Sequence, residues 1–250
     1  ADALVTGHYA IRKGGLKDSK LYKAKDKTKD QSYFLFATLQ DQLDYVRFPL
    51  GNYLKSEIRM MAQDYKLTVS EKPDSQDICF VQEGRYTNLI NKLLPKSTTK
   101  GNIVNMSGEV VGEHDGIVNF TIGQRRGIGY ASGIPNYVID IDSQSLNVMI
   151  GPKECLGVNQ IILDEVNWLG PNEIFSKAEY ETPIFVKVRS TSDPVEAKLS
   201  KKNNQILVEL KNPEYGVAPG QACVFYDSIK PISRILGGGW IVKNNNKNLN

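Results

Sequence analysis

Ala3-Leu4-Val5-Thr6-Gly7-His8-Tyr9 opens the chain with a short apolar segment that turns out at a glycine. A strand end followed by such a turn is where α/β sheets present ligand-binding loops. This end of the chain therefore reads as α/β, with Gly7 placed to let a nucleotide approach the backbone. Taken locally, a plain turn accounts for the Gly-His pair as well. The chain starts at Ala1, without a methionine and inside what reads as a buried strand, so it is expected to be a piece of something longer.

Working outward, lysine and arginine crowd the stretch from Arg12 to Lys29, with only Asp18 and Asp26 against them. Such a segment neutralises phosphates and releases counterions, which points to a nucleic-acid partner; a solvated lysine-rich loop explains the charge equally. Lys29-Asp30-Gln31-Ser32 then runs into Tyr33-Phe34-Leu35. This reads as a helix start with Asp30 or Ser32 as N-cap, and with Lys29 and Gln31 beside a terminus suited to phosphate. After the break at Phe48-Pro49-Leu50-Gly51, Leu54, Ile58, Met61, Ala62 and Tyr65 recur at helical spacing and predict an amphipathic helix packed on a core. Tyr86, Leu89, Ile90, Leu93 and Leu94 predict another apolar face, ended by Pro95 and the polar run to Lys100, where a domain boundary is expected.

Beyond it the pattern becomes short β segments between Gly, Asn and Pro. Asn102 to Asn105 and Glu109 to Gly112 read as one hairpin, and Tyr137 to Ile141 with Leu146 to Ile150 as another. Between them, Gly123-Gln124-Arg125-Arg126-Gly127 reads either as a basic loop gripping a phosphate backbone or as a glycine-rich turn with wet arginines. Strands are expected at Ile184 to Arg189, Val195 to Leu199, Gln205 to Leu210, Ala222 to Tyr226 and Ile232 to Leu236, a spacing that suggests a small β-barrel. Gly237-Gly238-Gly239 is expected to end the fold, and residues 243–250 to form a disordered tail.

With 250 residues, 40% hydrophobic, and a net charge of +3, the chain has room for two or three domains. No apolar run approaches the roughly 18 residues of a membrane span, and no basic-then-apolar signal segment opens the chain, so no membrane partner and a cytoplasmic location are expected. The cysteines Cys79, Cys155 and Cys223 are odd in number and widely spread, which speaks against a disulfide framework. No cysteine pair has ligand spacing, and His8 and His114 are isolated, so no metal site is expected. Cys79 closes the polar run Lys72-Pro73-Asp74-Ser75-Gln76-Asp77 and draws attention as a nucleophile or sulfur carrier, since Lys72 and Arg85 could favour the thiolate. A small buried hydrophobe fits a cysteine beside Ile78 and Phe80 at least as well. Cys155 and Cys223 are read as structural.

These stretches together resemble the tRNA-specific 2-thiouridylases. The resemblance is carried by Thr6-Gly7-His8-Tyr9-Ala10, Lys29 to Leu35, Phe48 to Gly51, Asp74 to Phe80, Thr121 to Gly127, Pro219-Gly220-Gln221 and Leu236 to Gly239, in the family's order. It implies an α/β plus β architecture. Residues 1–98 would be the end of a PP-loop ATP-binding α/β domain (adenine nucleotide alpha hydrolase-like), 99–155 a small central β-rich tRNA-binding domain, and 156–242 a C-terminal β-barrel. It also implies ATP-dependent 2-thiolation of the wobble uridine of tRNA, through an adenylated uracil and a persulfide on Cys79. ATP, with Mg2+, would be a substrate. The partners would be tRNA of the Lys, Glu and Gln type and a persulfide donor, a cysteine desulfurase or sulfur-relay protein.

By the same resemblance Gly7 contacts ATP, and His8, Lys29, Asp30, Gln31, Arg125, Arg126, Arg189 and Gln221 contact tRNA. Two departures stand out. The family's Ser-Gly-Gly-Val-Asp-Ser phosphate loop and its second catalytic cysteine are not among these residues, and the family's Arg-Tyr pair is Arg189-Ser190 here. The rival reading is a tRNA-binding module without catalysis.

Overall fold

The computed structural model describes residues 1–68, 98–172, 184–202 and 205–245. The expected Cys79 stretch and the apolar face from Tyr86 to Leu94 lie outside the described residues.

Strand β1 (Leu4–Val5) pairs in parallel with β4 (Val46–Arg47), the non-local pairing expected of an α/β sheet. Between them, β2 (Ile11–Lys13) and β3 (Lys20–Tyr22) form an antiparallel hairpin inside the segment read as a lysine-rich loop. Ile11 and Leu21 turn inward and are buried, and they are enough to fold so short a pair against a core although lysines surround them. Helices α1 (Gln40–Tyr45) and α2 (Lys55–Asp64) follow.

Helix α2 lies where its periodicity puts it, but the expected burial does not follow: none of its residues is buried, and Tyr65, just past its end, is 77% exposed. Polar contacts fix its start instead. Asp26 Oδ2 accepts the Lys55 N–H at 2.9 Å, and Glu57 reaches back to the Leu54 N–H while also accepting Lys25 Nζ. The expected helix at Tyr33 is a single 3-10 turn, Ser32–Leu35, and neither Asp30 nor Ser32 caps it; Gln31 stands at the N-cap position with no side-chain cap bond. Asp30 is occupied elsewhere, its Oδ1 accepting from the Ala24 and Ser32 N–H groups and its Oδ2 from the Ser32 hydroxyl.

Both central hairpins occur as expected. Strands β5 (Gly101–Val104), β6 (Val110–His114), β7 (Tyr137–Asp142) and β8 (Asn147–Gly151) build one sheet in the order β6-β5-β8-β7, with β5 and β8 parallel. Ile103, Ile128, Val138, Val148 and Ile150 fill its core.

The last block closes into a barrel of β9 (Gly157–Trp168), β10 (Ile184–Lys187), β11 (Val195–Lys202), β12 (Gln205–Tyr215), β13 (Ala222–Tyr226) and β14 (Ile235–Asn245), in the order β10-β11-β12-β9-β14-β13. Strand β9 was not foreseen, and β14 corrects the expectation for the glycine triplet. Gly237, Gly238 and Gly239 do not end the fold but form the interior of this strand, which runs on to Asn245, into the stretch expected to be a tail. Closure forces backbones together there: a Cβ on Gly238 would stand 2.6 Å from the Cys223 carbonyl oxygen and 2.8 Å from the Phe36 ring, so only glycine fits.

The described residues group into two compact units, the N-terminal segment with most of the barrel in one and the central sheet with Pro213–Ala218 in the other. Although the sequence reading separates the N-terminal block from the barrel, the two share a core. Ala10, Leu21, Tyr33, Phe36, Leu43, Val46 and Phe48 pack with Leu169, Ala222, Val224, Tyr226 and Ile235.

Candidate nucleic-acid interface

Tyr33 is the buried phenol around which the candidate residues of the first unit gather. Its hydroxyl donates to the Ala222 carbonyl at 2.8 Å, so the 3-10 turn docks against the barrel beside Gln221. Burial pushes the phenol's pKa well above the ordinary tyrosine value, which keeps it a neutral donor. The Lys187 ammonium lies 5.8 Å from the centre of the same ring and donates to the Ser190 carbonyl at 2.7 Å. Lys187 thereby fixes the loop that carries the exposed Arg189. At 7% exposure its own pKa is lowered, first by burial and then by the charge of Lys23, while Asp30 and Asp193 act against this.

On the other side of the turn, Gln31 is tied twice to Tyr9: its N–H donates to the Tyr9 carbonyl at 2.9 Å, and its Oε1 accepts the Tyr9 N–H at 2.9 Å. This sets Gln31 beside the exposed His8, whose Nδ1 lies 3.0 Å from the Thr6 hydroxyl and whose ring meets Phe48 edge-on. The Lys29 N–H donates to the Asp26 carbonyl at 3.2 Å. Asp26 Oδ1 in turn accepts from the Thr28 N–H and hydroxyl; the bond from the Lys55 N–H first, and then those from Thr28, hold its carboxyl below the usual aspartate range. Through Tyr33 the turn that carries Gln31 meets Ala222, next to Gln221, and Lys187, which anchors the Arg189 loop; Gln31 is bonded to Tyr9, next to His8, while Lys29 and Asp30 are held by separate bonds in the loop leading into the turn. Asp30 works inward as a loop organiser, and Gln31 spends its oxygen on Tyr9. Sequence reasoning passed over Tyr33 and Lys187; the available signal was a phenol inside an apolar run and a lysine at the end of a buried strand, each of which needs a partner.

Gly7 is exposed, and a Cβ placed on it would meet only Leu50 Cδ1, at 3.8 Å. Its backbone is therefore open to a ligand. Among the described residues no group of three or more His, Cys, Asp or Glu could hold a metal ion. Nor is any helix among them long and apolar enough to cross a membrane.

The second unit presents Arg125 and Arg126 on a loop of defined shape. The Gly123 N–H donates to the Val138 carbonyl at 2.8 Å, and the Val138 N–H returns to the Gln124 carbonyl at 2.9 Å. The Gln124 side chain accepts the Thr121 N–H and donates to the Arg126 carbonyl. Gly123 and Gly127 adopt φ of 87° and 74°, the left-handed conformation that glycine reaches without strain. Both arginines point to solvent.

Cys155 and Cys223 are both buried free thiols. Burial raises each thiol's pKa, with Glu154 adding to the effect at Cys155, so neither is disposed to act as a thiolate.

Comparison with known proteins matches three successive family descriptions to the chain. Residues 1–83 match a tRNA methyl transferase HUP domain, 87–152 a tRNA methyl transferase PRC-barrel domain, and 158–241 an aminomethyltransferase β-barrel domain. Among curated relatives, the tRNA-specific 2-thiouridylase MnmA of Agrobacterium fabrum is 49% identical over 246 residues, covering 96% of this chain and 62% of its own length. That of Sinorhizobium fredii is 48% identical, with 97% and 62% covered, and that of Brucella ovis 46%, with 96% and 61% covered. The chain thus spans about 62% of the length of these relatives. Its sequence and its succession of domains place the chain in the tRNA-specific 2-thiouridylase family.

Proposed function

We propose that the protein is a tRNA-uridine 2-sulfurtransferase acting in the cytoplasm on the wobble uridine of tRNAs of the Lys, Glu and Gln type. Residues 1–98 would end its ATP-binding domain, 99–155 form its central domain and 156–242 its barrel. The observation that carries this reading is the gathering around Tyr33 of candidate contacts from three distant segments. The Tyr33 hydroxyl bonds beside Gln221, the Tyr33 ring lies under the lysine that anchors the Arg189 loop, and the same turn holds Gln31 against Tyr9.

In this reading His8, Lys29, Gln31, Arg189 and Gln221 bind and orient the RNA, Asp30 shapes the loop that carries Lys29, and Arg125 and Arg126 hold phosphates. The open backbone at Gly7 suits a contact to ATP, which supplies, with Mg2+, the AMP leaving group for the uracil C2 oxygen. The terminal sulfur of a Cys79 persulfide, loaded by a cysteine desulfurase or relay protein, attacks C2 as AMP departs. A second thiolate then attacks the Cys79 sulfur, breaking the S–S bond, leaving the terminal sulfur on the uridine and forming a disulfide. The family's second cysteine and its phosphate loop are not in these 250 residues, so the full reaction is assigned to the longer protein. The test is Cys79→Ser in that protein: tRNA binding is expected to persist and thiolation to vanish, whereas equal thiolation removes Cys79 from the mechanism.

A further inference from the structure

Phe34 is 70% exposed although it sits in a 3-10 turn whose neighbours Ser32 and Tyr33 are buried. A phenylalanine left in water forgoes the free energy its burial would contribute, and this exposed ring, held by its turn next to the candidate RNA contacts, offers a flat apolar surface to a partner. The turn sets where the ring stands. The Phe34 N–H donates to the Gln31 carbonyl at 3.2 Å, and in 3-10 geometry residues three apart are eclipsed, which puts Phe34 over the same edge as Gln31. Gln31 is bonded to Tyr9, next to exposed His8. Tyr33, anchored to Ala222, meets the Phe34 ring edge-to-face at 5.4 Å and 88°, bracing it from one side.

We infer that Phe34 is a stacking platform for an unpaired nucleobase of the bound RNA, an inference that rests on the RNA-binding reading above. Single-stranded bases are recognised by stacking on aromatic side chains beside cationic groups that follow the backbone. The chain leading into the turn supplies the charge in Lys27 and Lys29. The loop after β10 continues from Arg189 as Ser190-Thr191-Ser192 and offers no ring. A polar, basic setting suits a base flanked by phosphates better than it suits the apolar face of another protein.

The experiment is equilibrium binding of the 250-residue chain to a uridine-containing anticodon stem-loop RNA, with 2-aminopurine replacing single loop bases in turn, over a series of salt concentrations. Phe34→Ala and Phe34→Leu are expected to weaken binding by about five- to a hundredfold and to abolish the quenching of one 2-aminopurine position. Phe34→Trp should stay within about threefold of the wild type. The salt dependence should be unchanged in all three, because stacking releases no counterion, whereas Lys29→Ala should reduce its slope by about one. Binding by Phe34→Ala equal to the wild type, with Lys29→Ala weakened, overturns the stacking role and leaves the RNA-binding reading standing. Absence of binding by the wild type, in the 250-residue chain and in the longer protein alike, overturns that reading and the stacking role with it.

Discussion

Tyr33 and Ala222, 189 positions apart, are joined by a hydrogen bond of 2.8 Å from the phenol to the backbone carbonyl. Removing the hydroxyl leaves a buried acceptor without its donor, so Tyr33→Phe is expected to cost about 1–3 kcal/mol of stability by urea denaturation. RNA affinity should fall as well, since the turn carrying Gln31 and Phe34 loses its anchor. A variant as stable as the wild type, with unchanged affinity, would show that the turn holds its position without this bond.

Lys187 separates the two effects. The Lys187 ammonium is desolvated and bonded to a neutral backbone carbonyl, so exchanging it for an apolar side chain of similar length removes a desolvation cost together with one hydrogen bond, and Lys187→Met is expected to stay within about 1 kcal/mol of the wild type. The loop bearing Arg189 would lose its bond at Ser190, and RNA binding should drop severalfold. Unchanged RNA affinity would mean that the loop is held by other contacts.

How much of this was legible in the sequence depends on whether a signal was local. The hairpin around Met106-Ser107-Gly108 was readable because Asn105 Oδ1 accepts from the Ser107 and Glu109 N–H groups and Gly108 takes a φ of 81°, all within five residues. The glycine triplet misled because its cause is distant: the Cys223 carbonyl and the Phe36 ring exclude side chains at Gly238, and nothing beside residue 238 in sequence announces them. The α2 stripe had the right period, yet period reports helix and not burial, and its N-terminus is fixed by Asp26 and Glu57. Of the candidate site, the individual residues came from the resemblance. Their gathering came from Tyr33 and Lys187, whose partners lie on other elements.

Gly238→Ala tests the barrel closure. A methyl there meets backbone and an aromatic ring at less than 3 Å, and Gly238 does not occupy the left-handed region, so the cost is steric alone. A loss of about 1–3 kcal/mol is expected in thermal or urea unfolding. A neutral result would mean that β13 and β14 separate at this point without penalty.

Asp26 supplies a pH dependence. Its carboxylate accepts hydrogen bonds from Lys55 and Thr28, which lower its pKa below the ordinary value of about 3.9. A carboxyl depressed in the folded state contributes stability that is fully present above the unfolded value and is lost as pH falls through the lower folded value. Melting temperature should therefore drop in that acidic window, and Asp26→Asn should be less stable at neutral pH while showing a smaller acid-induced loss. Identical acid profiles for the two proteins would contradict the assignment.

The most direct test of sulfur transfer is persulfide-specific labelling of the chain after incubation with a cysteine desulfurase and cysteine, followed by peptide mass spectrometry. The account predicts a terminal sulfur on Cys79 and none on Cys155 or Cys223, whose thiols are buried and raised in pKa. Label on either of those two, or a Cys79 that stays unlabelled both here and in the full-length protein, would contradict it.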